Sequence, residues 1–439
     1  MNKNFKFKEV VIDKKGFLRG PFGGDLKKEI FVAEDKSTYK VYEQGVVLNS
    51  DKTIGRYHIS EVDYLSKLHK FSVQNKDFLI SCSGVNMGAI YQLKEPFDRG
   101  IINQALLRVR LNNKIIDDNY FFYLFKELIS KRITSGSGDS TIPNFPALDV
   151  IKNIEFELPQ ILIQEKVGKL LSDLDTKIEL NTKINAELEA MAKTLYDYWF
   201  VQFDFPNENG KPYKTAGGKM VWNEELKREI PEGWEVKMLF DGMSVQYGFP
   251  FDTSKFTDDN TQKPIIRIRD ILENSISTYS IQEVDEKYRL NKGDLLIGMD
   301  GNFHLNFWDK DGAYLNQRSV RIRPKNRNEI SNFQALFQLT PFIKAREKNV
   351  SRTTVGHLSD KDLKRLYVLN AVKTSNFNPR GTFDSLLEKI ISNRLQNQQL
   401  ASLRDWLLPM LMNGQVTVGE VAEELGMVAE GKEGYSSKN

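Results

Sequence analysis

The chain of 439 residues carries 62 Lys and Arg against 59 Asp and Glu, four His and one Cys, for a formal net charge of +3. At roughly 100–200 residues per domain, that length predicts two or three domains, and 40% hydrophobic residues with 27 Phe, 16 Tyr and 5 Trp is too apolar for a disordered chain. A lone Cys82 excludes an internal disulfide, the single His58, His69, His304 and His357 give no zinc-ligand spacing, and no apolar run reaches the ~18–20 residues of a membrane span.

In chain order, residues 1–158 are net basic (+4). The run Gly20-Pro21-Phe22-Gly23-Gly24 lacks the Lys-Ser/Thr of a phosphate cradle and reads as a sharp turn. Lys76–Ile80 is a short apolar run, as in a buried strand, Leu106–Leu111 alternates apolar and polar residues at period two, and Tyr120–Ile133 reads as a helix. From Ile163 a helix of about 35–40 residues (~55 Å) is expected. Val167, Leu170, Leu174, Ile184, Leu188, Met191, Leu195 and Tyr198 fall on heptad positions a and d, with Leu171 and Ile178 at e. This helical stretch and the Pro- and Gly-bearing connector after it, Val201–Glu232, are net acidic.

A second basic block (231–374, +3) follows, with strand-like Asp294–Ile297 and Ser319–Ile322 and helix-like Phe333–Ile343. A second helix begins near Thr382, runs through Phe383, Leu386, Ile390, Leu400, Leu407 and Leu411, and ends around Pro409 and Gly414. The two blocks repeat one another. Asn75-Lys76-Asp77-Phe78-Leu79-Ile80 matches Asn291-Lys292-Gly293-Asp294-Leu295-Leu296-Ile297 with one extra residue in the second copy. Asn103-Gln104, Arg108-Val109-Arg110 and Thr141-Ile142 recur as Asn316-Gln317, Arg321-Ile322-Arg323 and Thr354-Val355 at one offset of 213. Asn181 and Asn397 occupy matching a positions, where a buried amide fixes register. The expected fold is α+β, with two homologous mixed domains separated by two long helices that pair antiparallel. Pairing residues are Asn181, Leu188, Met191, Asn397, Leu400 and Leu407. The boundaries read 1–158, 159–201, 202–232, 233–375 and 376–414, with a partly disordered tail at 415–439.

Catalytic constellations are missing: there is no Gly-x-Ser-x-Gly elbow, Walker loop, Asn-Pro-Pro-aromatic motif or Gly-rich cofactor loop. What stands out is basic. Arg318, Arg321, Arg323 and Lys325 cluster in the second block with Lys348 and Arg352 after them, and Arg108, Arg110, Lys131 and Arg132 hold comparable places in the first. Concentrated in the β-rich blocks, these side chains are candidates for phosphate contact. The polar loops carrying Ser135, Ser137 and Asn144, and Arg352, Thr353, Thr354 and His357, offer side chains of the kind that read base edges. Tyr196, Trp199, Phe200 and Trp406 are candidates for an outward aromatic surface that holds partner proteins.

Pro159-Gln160 with Gln164-Glu165-Lys166-Val167, the helix end Lys193-Thr194-Leu195-Tyr196-Asp197-Tyr198-Trp199-Phe200-Val201, and the segment Phe203-Asp204-Phe205-Pro206 through Gly217-Gly218 and Pro231-Glu232-Gly233-Trp234 resemble the central region of the specificity subunit of type I restriction-modification enzymes. The resemblance spans nearly the whole chain. It departs in the second copy, where Val368–Arg380 lacks the double Pro and the Glu-Gln that precede the family's helix. It implies a non-catalytic subunit whose two target recognition domains each read half of a split double-stranded DNA site, with the helices setting the gap. Two modification subunits would methylate adenine with S-adenosylmethionine, and restriction subunits would use ATP and Mg; no cofactor or metal is expected on this chain, and its place would be the cytoplasm. The competing reading is a helical scaffold whose repeated blocks bind protein or peptide.

Overall fold

Among the described residues, ten short strands build the first block: β1 (Lys3–Lys6), β2 (Phe17–Arg19), β3 (Phe31–Val32), β4 (Tyr39–Tyr42), β5 (His58–Ile59), β6 (Phe78–Ser81), β7 (Ile90–Gln92), β8 (Gly100–Ile102), β9 (Leu106–Val109) and β10 (Glu155–Leu158). The structure, a computed structural model, describes residues 3–13, 15–22, 24–84, 86–129, 145–301, 303–325, 330–348, 356–374 and 376–421. Strands order as β2-β9-β6-β7 in one sheet and β3-β5-β4-β8 in another, and β1 pairs with β10. A hairpin follows in the connector, β11 (Met220–Asn223) with β12 (Arg228–Pro231).

The second block repeats the first strand for strand: β13 (Glu235–Met238), β14 (Met243–Tyr247), β15 (Phe256–Thr257), β16 (Lys263–Ile266), β17 (Thr278–Ser280), β18 (Leu295–Gly298), β19 (Leu305–Phe307), β20 (Tyr314–Leu315), β21 (Ser319–Pro324) and β22 (Tyr367–Asn370). Its sheets are β14-β21-β18-β19 and β15-β17-β16-β20, with β13 on β22. The one parallel pairing of named strands in each block also corresponds, β4 with β8 and β16 with β20. The duplication is thus a duplication of topology. It also corrects the alignment of the repeat: Asp77 accepts the Gln74 N–H and Asp294 the Asn291 N–H, both at 2.7 Å and both across three residues. The two turns are of equal length, with Lys76 (φ +70°) in the left-handed position that Gly293 (φ +89°) fills without a Cβ.

The sheet carrying β6 and β9 is covered on both faces. Phe78, Ile80, Leu107 and Val109 face the large core with Phe7, Tyr120 and Phe125, while Leu79 and Leu106 face a second core around Val41, Tyr42 and Ile59. In the second block Leu295, Ile297, Val320 and Ile322 face one core and Leu296 another. Alternation of residue type in Leu106–Leu111 therefore marks two apolar surroundings, and not one wet and one dry face. Helices α1 (Asp118–Leu124), capped by the Asp117 carboxylate on the Tyr120 N–H, and α3 (Asn332–Lys348) close these cores from the sequence positions expected for them.

The long helices are α2 (Ile161–Tyr196) and α4 (Pro379–Met412). The chain divides into two units, one made of Met1–Thr176 with Leu400–Asn439 and the other of Lys177–Gln399, so each unit holds part of both helices. In the second unit the Asn181 amide donates to Asn397 Oδ1 (2.9 Å) and Gln396 Oε1 (2.7 Å), Asn185 donates to the Ile390 carbonyl (3.1 Å), and Arg394 meets Glu189 (3.1 Å). Asn181 meets Asn397 and, one turn further along α2, Asn185 meets Ile390 and Asn393, so these amide contacts fall along α4 as they rise along α2, as an antiparallel pair requires. In the first unit Arg404 pairs with Asp175, and Leu407 and Leu411 enter the core with Val167 and Leu171.

The seam differs from the expected a and d stripe. Buried positions include Val167, Leu171, Asn181, Asn185, Ala192 and Trp199, with Leu188 and Leu195 partly buried, whereas Ile184 and Met191 are 39% and 46% exposed. The expected a row faces the seam together with the e row, because Leu171, Asn185 and Ala192 sit one residue beyond d. Met191 is consequently not a pairing residue. Leu400 is half-buried. The connector is also more than a linker: Phe203, Phe205 and Ile230 lie in the core, where Phe205 stacks on Trp234 and Phe377 at 4.8 and 4.6 Å.

No described helix is long and apolar enough to cross a membrane.

Candidate nucleic-acid interface

Two glycines start the site. A Cβ on Gly20 would lie 1.8 Å from the Asn103 carbonyl oxygen, and one on Gly248 would lie 1.9 Å from that of Asn316, so the end of β2 or β14 presses against the Asn-Gln turn in each block. Only glycine permits that approach. The turns are pinned further: Gly20 donates to the Leu106 carbonyl (2.9 Å) and Gly248 to that of Ser319 (3.0 Å), while Cys82 donates to Ala105 O and Met299 to Arg318 O, both 2.8 Å. Gln104 and Gln317 project into solvent from the two rims.

The side chains set in this shared frame differ. In the first block Gln44 donates to Ser81 Oγ (2.7 Å) and the Ser83 carbonyl (2.6 Å), and Ala105 is apolar. In the second block the counterparts of Ser83 and Ala105 are Asp300 and Arg318. Asp300 accepts from Arg318 through Oδ2 and lies 2.6 Å from His357 Nδ1 through Oδ1, and a β-bridge joins Asp300 to His357. The carboxylate is 14% exposed, against 65% for Arg318 and 56% for His357. Burial tends to raise its pKa, but the hydrogen bonds from Arg318 and His357 outweigh that and hold it below the usual carboxylate value; Arg318 is raised in turn by its bond to Asp300. Beside this group the Tyr247 hydroxyl donates to Asp360 (2.7 Å), which also holds Lys364.

Four arginines expected at phosphates are elsewhere. Arg108 is 2% exposed and donates to the carbonyls of Lys15 (3.0 Å), Lys70 (3.3 Å) and Ser72; Arg321, 6% exposed, donates to those of Lys287 and Arg289, each 2.9 Å. Burial draws both guanidinium pKa values down, with Arg110 or Arg323 adding to the effect. Arg110 makes a bidentate pair with Asp77 (2.6 and 2.8 Å), and Arg323 the same pair with Asp294 (both 2.6 Å). The Arg-x-Arg repeat is structural, because its strand runs between two cores and its arginines satisfy buried carbonyls and a buried carboxylate. Lys325 and Lys348 are exposed, as Arg318 and His357 are. Lys131, Arg132, Ser135, Ser137, Asn144, Arg352, Thr353 and Thr354 lie outside the described residues, as does the tail from 422.

The expected partner surface is corrected as well. Trp199 packs edge-on against Phe377 (5.3 Å) and Phe383 (5.7 Å), and Phe200 lies 5.3 Å from Trp234, both inside the core. The chain turns back after α2, so these rings face inward. Tyr196 is half-buried against Phe337 (5.2 Å), and Trp406 remains 50% exposed.

The family profile described as the type I restriction modification DNA specificity domain matches residues 23–190 and 231–369, one stretch over each block. The chain belongs to this specificity family. Among relatives of the same family, the type I restriction enzyme MjaIX specificity subunit of Methanocaldococcus jannaschii is 26% identical over 365 residues, 79% of each chain. The HindI specificity subunit of Haemophilus influenzae is 22% identical over 463 aligned positions, covering 90% of this chain and 98% of that one. The crystal structure of a type I restriction-modification S subunit from M. genitalium shares the fold, with a TM-score of 0.54 at 16% identity over 94% of this chain and 96% of that chain. In this specificity subunit the Asn-Gln rim was legible as a repeat marker, while Gly248 and Asp300 escaped notice. Gly20-Pro21-Phe22 and Gly248-Phe249-Pro250 hold the same place with two residues exchanged, a signal that exact matching passes over.

Proposed function

We propose that this chain is the non-catalytic subunit that reads a two-part double-stranded DNA target and directs adenine methylation and restriction by partner subunits. Residues 1–158 and 233–375 are the two target recognition domains, 159–201 and 376–414 the spacing helices, 202–232 the connector and 415–439 a tail. One observation carries the reading: two blocks of identical strand topology, with β2-β9-β6-β7 matched by β14-β21-β18-β19, hold different side chains in the same rim. A repeated frame with unlike contents suits two half-sites of unlike sequence, whereas a scaffold binding one kind of peptide would keep its contents alike.

Lys325 and Lys348, together with Lys131, Arg132 and Arg352, contact phosphates; Ser135, Ser137, Asn144, Thr353, Thr354 and His357 face the grooves. Trp406 and Tyr196 contribute to the surface that holds two modification subunits. Those subunits bind S-adenosylmethionine, restriction subunits bring ATP and Mg, and the assembly works in the cytoplasm. Long-read methylation sequencing of a host carrying this chain with its modification partner tests the proposal. A bipartite adenine-methylated motif is expected, and sequence-independent methylation or none would refute it.

A further inference from the structure

Resting on that reading, we propose that Asp300, Arg318 and His357 are the base-reading group of the second recognition domain, with Asp300 holding Arg318 in position to address a guanine in the major groove of one half-site. The internal duplication works as a control. At this rim two backbone bonds recur in both blocks, Gly20 to Leu106 with Gly248 to Ser319, and Cys82 to Ala105 with Met299 to Arg318 at 2.8 Å each. These contacts are kept while Ser83 and Ala105 give way to Asp300 and Arg318. Outward groups that change beside retained contacts mark where the two domains read different bases.

Arg318 also differs from its neighbours in kind. Arg321 and Arg323, three and five residues on, are bound to buried carbonyls and a buried carboxylate, but Arg318 stands 65% exposed. Its backbone has φ +67°, a region that L side chains seldom enter and that clusters at functional sites. One terminal nitrogen is engaged by Asp300. That contact fixes the plane of the guanidinium and leaves its other N–H groups for the O6 and N7 acceptors of guanine, which a forked donor matches in pairs. The carboxylate, mostly covered and bonded to two donors, meets the DNA as part of a neutralised unit and not as a bare anion. His357, on the other carboxylate oxygen at 2.6 Å, holds the aspartate from the opposite side. This is the arrangement a precise contact needs: an outward group whose orientation is set by a second group behind it.

The experiment uses the complex of this chain with its modification partner. A methylation map is taken for the wild type and for R318G, R318K and D300N, with thermal unfolding of each as a control. Glycine suits the left-handed backbone, and R318N, which also tolerates it, carries the same expectation should R318G lose stability. The removal of Arg318 should relax a single G·C position of one half-site, with discrimination there falling roughly 5- to 150-fold. The other half-site should be unchanged. D300N should keep the preference in weakened form, and R318K should retain part of it. Two outcomes overturn the proposal: full discrimination at every position in the stable arginine-less variants, or a uniform loss of binding across all sequences, the behaviour of a phosphate contact. A wild-type complex that methylates no defined motif would instead sink the functional reading itself, so the two failures are distinguishable.

Discussion

Replacing Arg110 or Arg323 by Ala should destabilise the protein and not merely weaken its hold on DNA. The Asp77 side chain has no solvent exposure and Asp294 only 2%; each gives both oxygens to its arginine. With the guanidinium gone, a buried carboxylate is left with a backbone N–H from Gln74 or Asn291 as its remaining named partner. Breaking a buried ion pair from one side costs about 3–5 kcal/mol. At roughly 2–4 °C per kcal/mol for a domain of this size, the apparent Tm should fall by about 6–20 °C. Thermal unfolding of the chain co-purified with its modification partner measures this, and the salt dependence of DNA affinity on the same samples measures the alternative. An unchanged Tm with a salt slope lowered by about one would place these arginines on phosphates and refute the argument. The double variant D77L/R110M removes both charges and should recover much of the loss.

Trp199→Ala should cost about 3–5 kcal/mol as a large core deletion, whereas Trp406→Ala should leave the Tm alone and reduce recovery of the partner subunit in co-purification. Gly20→Ala and Gly248→Ala should fail to reach wild-type protease resistance, since either methyl would overlap a carbonyl oxygen. N181L/N397L should unfold at higher denaturant than wild type, because the seam loses a buried polar contact, while methylation mapping reveals a less uniform gap between half-sites as register loosens. Burial pushes the Cys82 thiol up to about 12, so at pH 8 it stays protonated and should resist alkylation until the chain is unfolded.

The duplication and the long helices were legible because both leave periodic or offset-matched traces in residue type. Which way a side chain points from a strand was not. Arg108 and Arg321 sit in runs that alternate like a half-wet strand, yet the second face of the sheet is covered by segments distant in sequence, around Val41 and Tyr42 or Ile271 and Trp308. Trp199 and Phe200 misled for a similar reason: their partners Trp234, Phe377 and Phe383 come from three later segments. On the rim, Arg318 and His357 were named from the sequence, but the carboxylate that joins them was not. A single acidic residue 18 positions before one and 57 before the other carries no signal until the fold brings them together.

The division of the chain into Met1–Thr176 with Leu400–Asn439 and a continuous Lys177–Gln399 bears on synthesis and on exchange between relatives. During translation the second recognition domain has all of its residues as soon as Gln399 leaves the ribosome. The first, although made earlier, waits for Leu407 and Leu411 to complete the core around Phe7 and Val167. A nascent chain therefore finishes its later domain first. For recombination, the intact cassette is the inner one: crossovers near Thr176 and Gln399 transfer it whole, while a foreign first domain meets a Leu407 and Leu411 segment its core was not built around unless the stretch after Gln399 travels with it.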